Sequence, residues 1–206
     1  MDADESAAAT TDASMERDTE AIDWDEATRP RAARDRRPPE GHGTGQGAHL
    51  RLIHDLFRRE LAAIVQVRDD VKAGRAGPGE LRSQINVMTL RRGYEQFGSF
   101  CAQYCRAVTM HHSIEDRHLF PQLRSVDGEL GPVLDRLEQE HLVIHGVLVD
   151  LDLASVDLAR GDLARGDETF DEVDRLVDLL AARLLSHLDY EEDELVDPLE
   201  QHPILI

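Results

Sequence analysis

Apolar side chains recur at intervals of three and four residues over four stretches of this chain, which is the period of an amphipathic helix. Short turns rich in glycine and proline separate the stretches, so we expect neighbouring helices to run in opposite directions. The pattern therefore predicts an all-α fold, an antiparallel up-down four-helix bundle. The predicted helices cover about residues 48–73, about 80–123, Pro132 to about 158, and about 167–196.

Glycine and proline positions set the ends of these predicted helices. Gly74 and the glycines and proline after it close the first helix. Gly93 and Gly98 are expected to bend the long second helix. Pro121 should lie near the end of that helix, and Pro198 should end the fourth one, because proline lacks the N–H that a helix interior needs.

Residues 1–44 show no such periodicity. Acidic residues mixed with Ala, Ser and Thr come first, then an arginine-rich patch, then Pro38–Pro39 and several glycines. Trp24, the only tryptophan, could dock on a folded domain, but the composition of the segment favours disorder. We therefore expect a disordered tail over 1–44 and one helical-bundle domain over 45–206.

Composition restricts the possible partners and the compartment. The formal net charge of −19 disfavours binding to nucleic acid or to an anionic membrane. No stretch approaches the ~20 apolar residues of a membrane span. The acidic N-terminus has no secretory signal pattern, and the two cysteines, Cys101 and Cys105, form no disulfide framework. We expect a cytoplasmic protein without nucleic-acid or membrane partners.

Histidines and glutamates interrupt the apolar stripe of every predicted helix. A buried imidazole or carboxylate is costly unless it is paired or binds a metal. Residues four apart share one helix face, so each such pair could grip one ion or two neighbouring ions. The candidate ligands are His54 in helix one, His111 and Glu115 in helix two, His141 and His145 in helix three, and His187 and Glu191 in helix four.

The positions of these residues along the helices place them at one level of the bundle. His54 is early in helix one, whereas His111 and His187 are late in helices two and four, which is the same end. Imidazole and carboxylate ligands suit iron, manganese or zinc, and seven of them exceed the needs of one zinc ion. They fit two ions about 3.5–4 Å apart, bridged by Glu115 and Glu191. An open position would let dinuclear iron bind oxygen, peroxide or nitric oxide.

Other polar residues near these motifs are expected to play lesser parts. His112 could replace His111 as a ligand, but it lies about 100° off the apolar stripe and should be solvated. His118 falls on the ligand face, as a neighbour of the ligands or at the entrance of the site. Asp116 and Glu192 should form a solvated acidic rim.

Three segments carry a resemblance to a known family: His-His-Ser-Ile-Glu-Asp-Arg-His-Leu-Phe-Pro from His111, Glu140-His141, and His187-Leu-Asp-Tyr-Glu-Glu-Asp-Glu. They resemble those of the hemerythrin-like proteins, also called the HHE cation-binding domain, over about 48–200. The resemblance implies a four-helix bundle with a non-haem di-iron centre, its two iron ions bridged by carboxylates. The ligands that it implies are His54, His111, Glu115, His141, His145, His187 and Glu191.

The last carboxylate departs from the oxygen-carrying hemerythrins, which use an aspartate one place later. Here Glu191 and Glu192 both stand near that place, so both are candidates for the second bridge. The resemblance implies oxygen, peroxide or nitric oxide as ligand, for binding, sensing or detoxification. Two alternatives stay open: an iron-responsive or redox-sensing interaction protein, and a di-iron oxidase of an organic substrate. The sequence does not indicate an oligomeric state.

Overall fold

The computed structural model of the chain describes residues 22–32, 45–73, 104–160, 166–202 and 204. Within these ranges the protein has four long helices and no strand, which confirms the all-α prediction. None of the described helices has the length and apolar character that crossing a membrane would require. The four helices are α1 (Gln46–Lys72), α2 (residues 104–126), α3 (Gly131–Arg160) and α4 (Gly166–Gln201).

Helix α2 contains a π-helical turn at Glu115–Leu119, after which an α-helical segment, Phe120–Val126, follows. Pro121 stands directly behind this turn. Its ring would clash with the carbonyl of a regular preceding turn and it cannot donate a hydrogen bond, so the wider turn accommodates it. The helix consequently continues past Pro121, and the residues after Glu115 are rotated relative to a regular α-helix.

One predicted helix end needs correction, and the predicted start of another helix lies outside the described residues. Helix α4 does not end at Pro198 but continues to Gln201, and the His202 N–H then donates to the Pro198 carbonyl. Proline removes one hydrogen bond within a helix, and the packing of the last turns of α4 outweighs this loss. The predicted start of helix two and the bends expected at Gly93 and Gly98 fall outside the described ranges.

Contacts between neighbouring helices run in opposite order along the two partners. His54 of α1 contacts Glu192 of α4, whereas Arg68, further along α1, contacts Asp174, which is earlier in α4. Helices α2 and α3 behave in the same way, since Arg124 bonds to the Gly131 carbonyl while His112 stacks on His141. These pairs are antiparallel.

Two apolar clusters fill the bundle, one on either side of a polar layer. The first includes Phe57, Val108, Ile144 and Leu184, and the second includes Leu50, Phe120, Leu134 and Leu195. Along each helix, the histidines and glutamates of interest fall between residues of the two clusters. The polar layer is therefore closed off from above and below by aliphatic and aromatic side chains.

Residues 22–32 lie against the bundle, which corrects the prediction of disorder for this part of the tail. A 3₁₀ turn at Glu26–Thr28 is capped by the Asp25 side chain. Trp24 packs against the first apolar cluster and Ala32 against the second. Arg29 is only 5% exposed. The remainder of the predicted tail up to residue 44 lies outside the described residues.

Candidate metal centre

Seven imidazoles and carboxylates meet in the polar layer and form two adjacent groups. Within each group the candidate ligand atoms lie within 4.8 Å of one another. All seven side chains are buried except His111, which is partly buried. The first group comprises His54, His111, Glu115 and Glu191, and the second comprises His112, His141 and His187.

The first group joins α1, α2 and α4. The Nε2 atoms of His54 and His111 are 3.2 Å apart, and their rings meet edge to face. His111 Nε2 also lies 3.0 Å from Oε1 of Glu115, although not in hydrogen-bond geometry. These donor atoms surround one small volume.

The second group joins α2, α3 and α4. The Nε2 atoms of His141 and His187 are 3.1 Å apart. The ring of His112 stacks on that of His141 at a centroid distance of 4.0 Å. His112 is only 4% exposed, and neither of its ring nitrogens has a hydrogen-bond partner among the described residues. A buried imidazole with both nitrogens unsatisfied is a costly arrangement that a bound cation would relieve.

Glu115 and Glu191 belong to the first group but lie on its side toward the second, so that they contact both. Oε2 of Glu191 is 3.5 Å from Nε2 of His54 in the first group and 3.5 Å from Nε2 of His187 in the second. Glu115 places Oε1 against His111 and Oε2 3.7 Å from Nε2 of His141. Each carboxylate thus reaches both groups, as a bridging ligand of two ions would.

Carboxylates outside the two groups hold the other nitrogen of three imidazoles. Nδ1 of His54 lies 3.0 Å from Glu192 and Nδ1 of His141 lies 2.7 Å from Asp116. Nδ1 of His187 lies 3.1 Å from Glu140. An ionised carboxylate only accepts hydrogen bonds, so these contacts place the ring proton on Nδ1 and leave the Nε2 lone pair facing inward.

Two facing lone pairs repel unless a cation lies between them. His141 and His187 both donate from Nδ1, so their Nε2 atoms cannot share a hydrogen bond at 3.1 Å without an additional proton. Burial lowers the pKa of His187 to about 3, which disfavours that proton on the His187 ring. This pair of imidazoles is therefore arranged for a metal ion rather than for hydrogen bonding.

The electrostatics of the glutamates lead to the same conclusion. Burial raises the pKa of Glu115 and of Glu191 to about 8, and neither has a hydrogen-bond partner for its oxygens among the described residues. Burial also lowers the pKa of His111 and, more strongly, of His112. Without a metal, these carboxyl groups would keep their protons near neutrality beside neutral imidazoles, and a divalent cation would displace those protons and complete the site.

The spacing of the donors fits ions bound at ordinary distances. Two nitrogen or oxygen atoms that each lie about 2.1 Å from one ion are roughly 3.0–3.4 Å apart. The Nε2–Nε2 distances of 3.2 Å in the first group and 3.1 Å in the second fall in this range. The residues present therefore fit metal ions with nitrogen and oxygen ligands.

The structure brings together six of the seven side chains that the sequence indicated as ligands and leaves out His145. That residue is exposed on α3, and its nearest polar contact is Oγ1 of Thr109 at 3.5 Å. His145 follows His141 by four residues, which turns it about 40° around the helix. The buried arc of α3 extends the other way, through Glu140, Ile144 and Val147, so this rotation carries His145 to the surface.

His112 is the residue of the centre that the helical pattern missed, since it was expected in solvent. Helix α2 contacts α1 on one side and α3 on the other, so two directions 100° apart are both buried. His111 points to His54 and His112 to His141. The signal available in the sequence was the His-His pair itself, three residues before Glu115.

Three further expectations change with the observed positions. Asp116 and Glu192 are not merely a solvated rim, because they bond to His141 and His54. His118 is exposed and does not face the ligands, since the π-helical turn shifts the residues after Glu115. The side chain of Glu191 lies between the two groups, whereas Glu192 lies outside them.

Comparison with known proteins agrees with this geometry. Searches of curated proteins and of solved structures gave no match. The family model described as the Hemerythrin HHE cation binding domain matches residues 45–199, which include every member of the two groups. This chain belongs to the hemerythrin HHE cation-binding family.

Proposed function

We propose that the chain holds two iron ions in this centre and binds a small molecule there, namely oxygen, peroxide or nitric oxide. One observation carries the proposal: Glu115 and Glu191 each lie between the two groups, within 3.0–3.7 Å of an imidazole nitrogen on either side. A site for a single ion would not need two carboxylates that each face two sets of imidazoles.

The ligands divide into three sets. His54 and His111 would hold one ion, and both glutamates would contribute to each ion. His112, His141 and His187 would hold the other, so His112 takes the part that the sequence assigned to His145. This division keeps five imidazoles and two carboxylates at the centre.

The donors leave room for an additional ligand. Five imidazole nitrogens and four carboxylate oxygens are fewer than the roughly twelve donor atoms that two octahedral ions take. A reduced iron pair, when bound, supplies the electrons that oxygen or peroxide takes up. The chain's own part is to fix the Nε2 atoms inward through Asp116, Glu140 and Glu192, and to keep bulk water away with the two apolar clusters.

The ligand types bear on which reaction follows. Imidazoles are neutral, so this centre carries less negative charge than one built mainly from carboxylates. Less negative charge stabilises strongly oxidised iron less well, which favours binding or mild peroxide chemistry over oxidation of an organic substrate. We therefore place oxygen, peroxide or nitric oxide ahead of an organic substrate.

Stopped-flow mixing of the anaerobic, reduced, iron-loaded protein with oxygen tests the proposal. We expect a new absorption band in the near-ultraviolet or visible range, because oxygen can reach a free position on reduced iron. Zinc-loaded protein is the matched control and should give no band, since zinc has no accessible redox change. The same mixing is repeated with peroxide and with nitric oxide. Iron-loaded protein that gives no band with any of the three, with both ions bound, would contradict the proposal.

A second function, an iron-responsive interaction protein, is favoured by one feature of the site. The oxygens of Glu115 and Glu191 are buried without hydrogen-bond partners among the described residues, so metal binding should stabilise the bundle strongly. The same experiment separates the two functions. Two bound iron ions without any reaction with oxygen, peroxide or nitric oxide would leave the iron-responsive function as the better one.

A further inference from the structure

Residues 22–32, called here the N-terminal segment, cross the outside of the bundle at the level of the polar layer. Trp24 packs on one apolar cluster and Ala32 on the other, so the residues between them span the layer. The Tyr190 hydroxyl of α4 donates to the Pro30 carbonyl at 2.6 Å. Arg31 binds Asp193 and Glu194 on the same helix. Several independent contacts thus fix this segment over α3 and α4.

Arg29 is the one residue of this segment whose side chain enters the protein fully. Its guanidinium donates from Nε to Oε1 of Glu140 at 2.8 Å and from Nη2 to Oε2 at 3.1 Å. Nη1 donates to the hydroxyl and the carbonyl of Ser186. The guanidinium carbon lies 4.8 Å from the centre of the Tyr190 ring. The side chain of Arg29 is 2% exposed and that of Glu140 is 0% exposed.

Glu140 connects this arginine to the candidate metal centre. Its Oε2 atom lies 3.1 Å from Nδ1 of His187, whose Nε2 faces His141 and Glu191. Arg136 also binds Glu140, but through Oε1 alone. Only Arg29 holds both oxygens, and a two-point contact fixes the plane of a carboxylate where a one-point contact lets it rotate.

The other end of the layer has a comparable arrangement built within the bundle. Glu192 bonds to His54 and is held by Arg58, which belongs to α1 itself. For Glu140, Arg136 of α3 makes the comparable one-point contact. Arg29, from outside the four helices, adds the two-point contact that Glu192 does not have from Arg58.

We infer that Arg29 is a positioning residue of the metal centre, which holds Glu140 and through it aims Nε2 of His187 at one of the two ions. The inference rests on the proposed function, because it takes His187 as a ligand. It makes the N-terminal segment part of the site, although no residue of that segment touches the proposed ions. One ion, the one held by His187, should depend on Arg29 more than the other.

Iron release from the full-length protein tests this inference. Wild type, Arg29→Met and Arg29→Lys are loaded anaerobically with iron(II), and release to a chromogenic chelator is followed over time. Loss of a carboxylate that orients a metal-bound histidine typically weakens metal binding about 10–100-fold. We expect Arg29→Met to release one of two ions at least about ten-fold faster than wild type. Arg29→Lys keeps the charge but not the two-point contact, so its rate of iron release should lie between those of wild type and Arg29→Met.

Arg31→Met is the matched control, because Arg31 anchors the same segment but binds Asp193 and Glu194 instead of Glu140. It should release both ions at the wild-type rate. The inference would be overturned if Arg29→Met released both ions faster by the same factor, or if it released neither ion faster than Arg31→Met does. If Arg29→Met does not fold, Arg29→Lys decides in the same way. Wild-type protein that holds one ion would count against the proposed function, while the release rate of that ion in Arg29→Met and Arg31→Met still decides the positioning role. Wild-type protein that holds no iron would overturn both.

Discussion

In three of the five imidazoles, the partner of the second nitrogen decides where the first one points. His54, His141 and His187 each face a carboxylate through Nδ1, at distances of 2.7–3.1 Å. Burial raises the pKa of Glu140, but hydrogen bonds from His187 and Arg136 and the charge of Arg29 outweigh it, so its pKa lies below the usual value. The carboxylate is consequently ionised and can only accept a hydrogen bond. Three inward-facing lone pairs follow from this.

His112 should matter for iron binding, whereas His145 should not. We expect His112→Phe, which keeps a ring to stack on His141 but removes both nitrogens, to bind about one iron ion fewer per chain than wild type. The loss follows because an apolar ring then faces the second ion in place of a nitrogen donor. Iron and protein concentrations measured after desalting give the ratio.

His145→Phe is the paired control and should keep the wild-type iron content, since His145 is exposed. If His145→Phe lost iron while His112→Phe retained it, the ligand set that the sequence indicated would be right and the one drawn from the geometry wrong. Both variants make the same change of residue type, and circular dichroism of each checks that the helix content is kept.

The sequence could not decide between these two histidines. Helical periodicity gives the direction of a side chain around its own axis, but not the width of the arc that neighbouring helices bury. His111 and His112 both fall in the buried arc of α2, because α1 and α3 cover different sides of it. The roles of Asp116 and Glu192 were hidden for a similar reason, since each depends on a ring from another helix.

At the scale of helices, the apolar period predicted α1, α3 and the start of α4 to within about two residues of the observed bounds, as expected for long periodic stretches. The π-helical turn at Glu115–Leu119 was not predictable from this period, because it depends on how Pro121 is accommodated. The docking of residues 22–32 was also missed. Its anchors are single side chains, Trp24 and Arg29, rather than a repeated pattern.

The N-terminal segment should contribute measurably to stability. Deleting residues 1–32 removes Arg29 from a buried ion pair and leaves Glu140 with one arginine instead of two. Breaking a buried pair by removing one partner costs about 3 kcal/mol. For a chain of this size that is roughly 6–12 °C in melting temperature. Thermal unfolding of the metal-free protein, followed by circular dichroism, measures this shift.

Deletion of residues 1–21 is the control, because it leaves every described contact of the segment in place. It should leave the melting temperature unchanged. If the 1–32 deletion had the same melting temperature as the control, residues 22–32 would behave as the disordered tail that the sequence predicted.

At the scale of the whole molecule, a polar layer divides the apolar interior in two. Such a layer is unfavourable in a metal-free bundle, since it buries Glu115, Glu191 and His112 without hydrogen-bond partners among the described residues. Its level was predictable, because the histidines stand at matching heights in helices that alternate in direction. Which atoms would share an ion could not be predicted, because that depends on differences of a few tenths of an ångström in the distances between side chains of different helices.

The number of iron ions that one chain binds tests the dinuclear centre most directly. Metal-free full-length protein is titrated anaerobically with iron(II), and bound iron is measured after removal of the free ion. With Glu115 and Glu191 each facing both groups, we predict saturation at two ions per chain. Saturation at one ion per chain, or no retained iron, would contradict a centre bridged by these two carboxylates.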